Sequence, residues 1–254
     1  MSGHSKWSQI KRQKGVTDAK RGQLFTKLTR EIIVAVREGG SDPEANFRLR
    51  LAIQKARDSN MPIDNIDRAI KRGSGELGGT TLSEMTMEGY GPSGVAILVK
   101  ALSDNRNRTL QDVRNIFYRN GGSLGESGCV SWLFESTGLI TVDTNNSNPE
   151  DLELKAIDAG AEDVKMGSGY VEIYTRPEEL EKVKEALEKQ EIPIASAELS
   201  MMPKSTLELE EKPALQTLRL LDKLEELDEV QVVASNADFS DAVLEKYRTG
   251  NYEK

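Results

Sequence analysis

The hydrophobic pattern of this chain changes period once, and the change falls in one short segment. N-terminal to Gly73 the apolar residues recur at helical spacing, whereas beyond Thr81 the period drops toward two. The segment between, Gly-Ser-Gly-Glu-Leu-Gly-Gly-Thr-Thr, has the composition of a linker. A chain that switches period in this way cannot be a uniform bundle or a uniform sandwich. The expectation is an α+β multidomain protein, since 254 residues exceed the roughly 100 to 200 of one typical domain.

Before the linker, Leu24, Phe25, Leu28, Ile32, Ala35 and Val36 form one apolar stripe, which predicts a helix over 23–38 that stops at Gly39-Gly40. A second helix is expected to begin with Asp42 as N-cap and Pro43 at its first position, burying Leu49, Ala52, Ile53 and Ala56. A third follows Asn60-Met61-Pro62, with Ile63, Ile66, Ala69 and Ile70 inward and Gly73 as C-cap. These three make an N-terminal three-helix bundle over 23–75. Residues 1–22 hold too little apolar surface to fold alone and read as a mobile basic arm.

After the linker, Thr86–Tyr90 and Val95–Ala101 read as strands, Thr109–Asn120 as a helix, and Cys129–Phe134 as a further strand. The next stretch has the order βαββαβ: strand 139–142, helix 149–159, strands 163–166 and 170–174, helix 177–190, strand 194–199. That is the ferredoxin-like order. A strand at Thr206–Leu209, a helix at Pro213–Leu227 and a strand at Val230–Ala234 then return, and cannot form a domain alone. The expected organisation is therefore two α/β domains, a discontinuous one over 82–135 and 204–238 and a ferredoxin-like one over 136–203 inserted into it. Residues beyond Asp238 are polar and expected to be loosely held.

Charge is segregated along the chain. Residues 1–75 contain sixteen Lys and Arg against eight Asp and Glu, leaving eighteen against thirty-four for the remainder. The net charge of −8 thus hides a basic N-terminal region joined to an acidic body, an asymmetry typical of polyanion-binding arms. His4 is the only histidine and Cys129 the only cysteine, which leaves no His/Cys metal set and no Cys-His pair. No catalytic residue, metal or cofactor is expected. No run approaches the roughly 18 apolar residues of a membrane span. The lone thiol and the lack of an apolar stretch after the basic N-terminus fit a cytoplasmic protein.

Two matches to G-x-G-x-x-G, at Gly73, Gly75, Gly78 and at Gly89, Gly91, Gly94, lack the strand-then-helix context that phosphate binding requires, and read as linker and turn. The cations carry more information. In the arm, His4, Lys6, Lys11, Arg12, Lys14, Lys20 and Arg21 surround Trp7, which could stack on a base or pack on the neighbouring bundle. Lys27, Arg30 and Arg37 lie opposite the apolar stripe of the first helix, and Arg48 and Arg50 lie on the second. Lys55, Arg57, Arg68, Lys71 and Arg72 extend the supply. If about six of these cations neutralise phosphates, binding should fall with salt at a log-log slope near about −5. Arg106 and Arg108, ahead of a helix N-terminus, form a second candidate phosphate site, with an Asn-rich turn capped by Thr109 as the bland alternative.

Five stretches together carry a family resemblance. They are Gly3-His4-Ser5-Lys6-Trp7-Ser8-Gln9-Ile10-Lys11, Glu88-Gly89-Tyr90-Gly91-Pro92, Asp104-Asn105-Arg106-Asn107-Arg108-Thr109, the Gly-Gly-Ser-Leu-Gly segment from Gly121, and Val130-Ser131-Trp132-Leu133-Phe134. With Leu24-Phe25-Thr26-Lys27-Leu28, the chain resembles the YebC family over nearly its whole length. The resemblance implies a helical N-terminal domain followed by two α/β domains. It also implies a regulator of gene expression, since the family is described as DNA-binding transcriptional regulators. Relatives such as the mitochondrial translational activator of cytochrome c oxidase act on translation and associate with ribosomes. The expected partner is nucleic acid, either DNA or ribosomal RNA, with the acidic body able to touch a ribosome and no membrane involved. An Asp/Glu enzyme in a cleft between the α/β domains is a third reading, favoured only by the Gly-rich loops.

Overall fold

A computed structural model describes residues 18–78, 81–144, 148–167 and 169–250. Its N-terminal part is three helices: α1 (Asp18–Gly39), α2 (Phe47–Asp58) and α3 (Ile63–Gly73). Leu28, Ile32, Ala35, Leu49, Ala52, Ile66 and Ala69 close one shared core, as their spacing requires. Helix α2 starts later than Asp42-Pro43 suggests. Asp42 instead accepts from the Glu44 amide at 3.0 Å in a local turn. The N-cap is the buried Asn46, whose Oδ1 accepts from Leu49 N at 3.0 Å while its Nδ2 donates to Ala35 O and Gly40 O at 2.7 and 2.8 Å. One side chain thus caps α2 and satisfies two carbonyls at the end of α1, which an aspartate at 42 could not do.

Two further details depart from the pattern. Gly73 is the last residue of α3 rather than its cap, and a Cβ there would stand 2.7 Å from Val36 Cβ, so the glycine sets how closely α3 approaches α1. Ile63, expected inward, is 70% exposed because it starts the first turn of α3, which overhangs the core.

The first sheet has the order β3-β1-β2-β9, formed by β1 (Ser83–Tyr90), β2 (Ala96–Ser103), β3 (Ser123–Leu124) and β9 (Val230–Ser235). One face is covered by α4 (Arg106–Arg119), α7 (Glu211–Glu225) and α8 (Asp241–Arg248). Because β9 pairs antiparallel with β2, this sheet joins two stretches far apart in sequence. Between them run β4 (Phe134–Asp143), α5 (Pro149–Ala159), β5 (Asp163–Met166), β6 (Tyr170–Thr175), α6 (Leu180–Lys189) and β7 (Ile194–Pro203). Their sheet order, β5-β6-β4-β7, is that of a ferredoxin-like unit. The short strands β8 (Leu207–Glu208) and β10 (Ala237–Asp238) pair parallel.

The expected strand Cys129–Phe134 does not form. Its amides are taken by a side chain: the buried carboxylate of Glu88 accepts from Gly128 N, Val130 N and Ser131 N at 2.7, 2.8 and 2.7 Å. With those donors committed, the segment curls into a 3-10 turn at Ser131–Leu133, and the fourth strand position of the sheet falls to β9. The C-terminal segment is likewise better held than its polarity suggests. Helix α8 buries Val243, Leu244 and Tyr247, and the Tyr247 hydroxyl donates to Asp222 at 2.7 Å. Among the described residues no helix is long and apolar enough to cross a membrane.

Candidate nucleic-acid interface

Of the arm residues expected to hold nucleic acid, His4, Lys6, Trp7, Lys11, Arg12 and Lys14 lie outside the described residues. Lys20 and Arg21, expected in the arm, are exposed in the first turn of α1, which begins at Asp18. The next cations along α1 turn toward the body of the protein. Lys27 donates to Glu225 O at 2.6 Å, and the neighbouring Gln23 amide donates to Glu226 O. Both acceptors are carbonyls at the C-terminal end of α7, where the helix leaves them unsatisfied and its dipole favours positive charge. Arg30 donates to Leu102 O at 2.9 Å and pairs with Glu229 at 3.4 Å.

Helix α2 behaves the same way. Arg48 bridges Glu38, at 2.5 Å, and Glu84. Arg50 reaches Glu181 on α6, with Nε 2.9 Å from both carboxylate oxygens, and donates to Pro43 O at 2.8 Å. Burial works against the Arg48 charge, yet its hydrogen bonds and the charges of Glu84 and Glu38 raise its pKa overall, and the bond to Glu181 raises that of Arg50. Lys55 pairs with Glu198 at 3.1 Å. Much of the charge segregation along the chain is therefore spent inside the molecule, docking the basic helices onto acidic residues of the body such as Glu84, Glu181, Glu198 and Glu229.

The second candidate phosphate site is engaged too. Asn105, not Thr109, caps α4, accepting from Arg108 N at 3.1 Å. Thr109 is buried, with its hydroxyl 2.8 Å from that of Ser103. Arg106 donates to Glu84 O at 3.2 Å, and Arg108 pairs with Asp104 at 2.7 Å and Glu229 at 3.1 Å. The cap chemistry explains the Asn-rich turn, and the arginines hold the strands beside it.

A second group of cations, which shares Arg30 with the first, lines open space. A cleft of about 770 Å³ lies between α1 and α3, floored by Phe25, Ile33, Met61 and Ala69 and rimmed by Arg30, Arg37, Arg68 and Arg72, with Asp104 also in its lining. Arg30 and Arg37 stand about two turns apart on α1, and Arg68 and Arg72 about one turn apart on α3, so each pair shares a helix face. Gly73 lets these two ridges approach. Arg37, Arg68 and Arg72 are exposed, and neither Arg68 nor Arg72 forms an ion pair with a described residue. Clefts rimmed by one sign of charge concentrate the opposite charge. In the sequence Arg68 and Arg72 stand only as part of a general supply of cations; their spacing places them on one face of a helix but does not show that this face borders open space.

A basic helical bundle docked by ion pairs onto an acidic body of two antiparallel sheets, the second ferredoxin-like, defines a modular α+β protein that carries an arginine-rimmed cleft at its helical end. Comparison with known proteins places it more narrowly. Residues 5–76 match the model described as "TACO1/YebC protein N-terminal domain", and residues 82–237 match "TACO1/YebC second and third domain". The chain belongs to the TACO1/YebC family. A "Probable transcriptional regulatory protein" of Dehalococcoides mccartyi strain BAV1 is 62% identical over 249 residues, covering 98% of this chain and 99% of the relative. One of Pelotomaculum thermopropionicum is 53% identical over 243 residues, covering 95% and 100%. Among solved structures, a conserved hypothetical protein from Aquifex aeolicus superimposes with a TM-score of 0.83 at 52% identity, over 88% of this chain and 93% of that one.

Proposed function

We propose that this protein is a non-enzymatic regulator of gene expression, acting in the cytoplasm, that holds the phosphate backbone of a nucleic acid in the arginine-rimmed cleft between α1 and α3. The observation that carries the reading is the pair Arg68 and Arg72, which lines the cleft with no ion pair to a described residue, while Lys27, Arg30, Arg48 and Arg50 are bonded to carbonyls or carboxylates of the protein. The naming of the relatives as transcriptional regulatory proteins supports the same class. In this reading the arm, 1–22, and the helical domain, 23–75, bind the polymer. The discontinuous domain, 82–135 with 204–238, and the inserted domain, 136–203, form the body that presents them.

Phosphates are common to duplex DNA and ribosomal RNA, and a cleft between helices recognises backbone before bases. DNA is the first reading because of the relatives' names; a ribosome-associated factor is the second, favoured by the resemblance to a translational activator. The test is gradient co-sedimentation of the full chain, and of a variant lacking residues 2–21, with ribosomes in the presence of competing promoter duplex. Binding to particular promoters without ribosome association establishes the transcriptional reading. Arm-dependent ribosome association that survives competitor DNA replaces it with the translational one. Absence of both, at low salt, overturns nucleic-acid binding altogether.

A further inference from the structure

A second cavity, of about 420 Å³, lies where α2, the first sheet and the ferredoxin-like sheet meet. That volume falls within the range of about 300 to 1,000 Å³ of small-molecule sites. Its wall has an apolar part, including Leu51, Met85, Leu102, Leu199 and Met201, and a charged part. Two of the charged pairs are already satisfied, Arg48 with Glu84 and Lys55 with Glu198. Two groups of opposite sign are not: Lys100 on β2 and Glu31 on α1 line the cavity, and neither forms an ion pair with a described residue. Burial holds Lys100 below its ordinary pKa, against the attraction of Glu84.

Gln231 adds a third unsatisfied group. The pairing of β2 with β9 shifts register between Lys100 and Ala101, where Val232 and Val230 are the partners, so Gln231 is the extra residue of a β-bulge. Bulges re-aim side chains and recur beside binding sites. Here the bulge turns Gln231 into the cavity wall, with its amide nitrogen buried and without a hydrogen-bond partner among the described residues. Buried donors are nearly always partnered, and an exception beside a cavity and an unpaired ammonium calls for a ligand oxygen, reached by rotation of the amide.

We infer that this cavity binds a free α-amino acid with an apolar side chain: its carboxylate meets Lys100 and Gln231, its ammonium meets Glu31, and its side chain lies on Leu51, Leu199 and Met201. A zwitterion is the class that answers one unpaired cation and one unpaired anion on a wall whose remaining charges cancel. Because the wall is drawn from α2 and from both sheets, the bound molecule bridges the helical bundle and the body.

The test is isothermal titration of the full-length protein with L-leucine and L-phenylalanine, alongside leucinamide and 4-methylpentanoate, each lacking one of the two charges. The expected result is saturable binding of at least one amino acid with a dissociation constant between about 1 μM and 1 mM, weakened about tenfold or more when either charge is removed. Lys100→Met and Glu31→Gln, each confirmed folded by circular dichroism, should weaken the same amino acid to a similar degree. Gln231→Leu should do so while leaving Lys100 in place. No saturable binding, binding unchanged in Lys100→Met, or 4-methylpentanoate binding as tightly as leucine would overturn the inference.

Discussion

Arg50 on α2 lies 2.8 Å from the Glu181 carboxylate on α6, in an ion pair that joins the helical bundle to the ferredoxin-like unit. Its Nε adds hydrogen bonds to both oxygens of that carboxylate, and the same guanidinium stands 5.8 Å from the Phe47 ring centroid. Both side chains keep some access to water, so the pair is worth about 1 kcal/mol or less, at the upper end for a fork-shaped geometry. A double-mutant cycle of Arg50→Ala and Glu181→Ala, followed by urea denaturation, should return a coupling energy of about 0.5 to 1 kcal/mol that shrinks in high salt. A coupling that is absent at low salt would remove Arg50 from the groups that tie the domains together.

Substitutions in the cleft and at the docking ion pairs should separate in salt dependence. Arg68→Ala with Arg72→Ala should weaken nucleic-acid binding and lower the magnitude of the log-log salt slope by about 2, one for each phosphate that is no longer neutralised. Arg48→Ala should leave the slope nearly unchanged, since that side chain is held by Glu38 and Glu84. Fluorescence anisotropy over a range of salt concentrations reads both values. Equal effects would mean that the cleft has no privileged role.

Glu88 makes a pH-dependent contribution. Burial would push its carboxyl upward, but the Gly128, Val130 and Ser131 amides outweigh this and hold it below the ordinary carboxylate range. A group whose folded pKa is depressed stabilises the fold above its unfolded value, about 4.3, and loses that stabilisation as pH falls through the folded value. Glu88→Gln should cost about 2 kcal/mol near neutral pH, because it sets an amide donor against backbone donors. The difference from the parent protein in denaturant midpoint should narrow on acidification below about pH 4. A gap that stays constant over that range would assign the effect to packing alone.

Gly73→Ala tests the close approach of α1 and α3. Helix propensity alone would favour alanine by about 1 kcal/mol. The new Cβ would meet Val36 Cβ at 2.7 Å and Ile33 O at 3.0 Å, so overpacking should dominate and give a net loss of about 1 to 2 kcal/mol. A rise in melting temperature would show that the helices can separate without penalty, and the shape of the arginine cleft would then be adjustable.

Much of the architecture follows from local pattern. The stripe from Leu24 to Val36 specifies an amphipathic helix whatever it packs on, and alternation with well-spaced turns specifies the βαββαβ order of the second sheet, because both periods come from backbone geometry. The departures from that pattern were decided at a distance. The segment Cys129–Phe134 has strand composition, yet Glu88, far away in sequence, takes its amides. Helix α8 looks polar, but its few apolar residues meet α7.

The cations divide along the same line. Composition and charge order alone identified a basic helical region attached to an acidic body and left no His/Cys set for a metal and no Cys-His pair. Which arginines face solvent was not legible, because Arg30, Arg37, Arg48 and Arg68 are chemically the same residue and differ only in what the fold brings near them. Arg48 is set beside Glu84 and Arg68 beside open space by the docking of the bundle onto the sheets. Periodicity is a property of neighbouring residues and is written in the chain; the pairing of charges depends on long-range packing, and only the tertiary structure decides it.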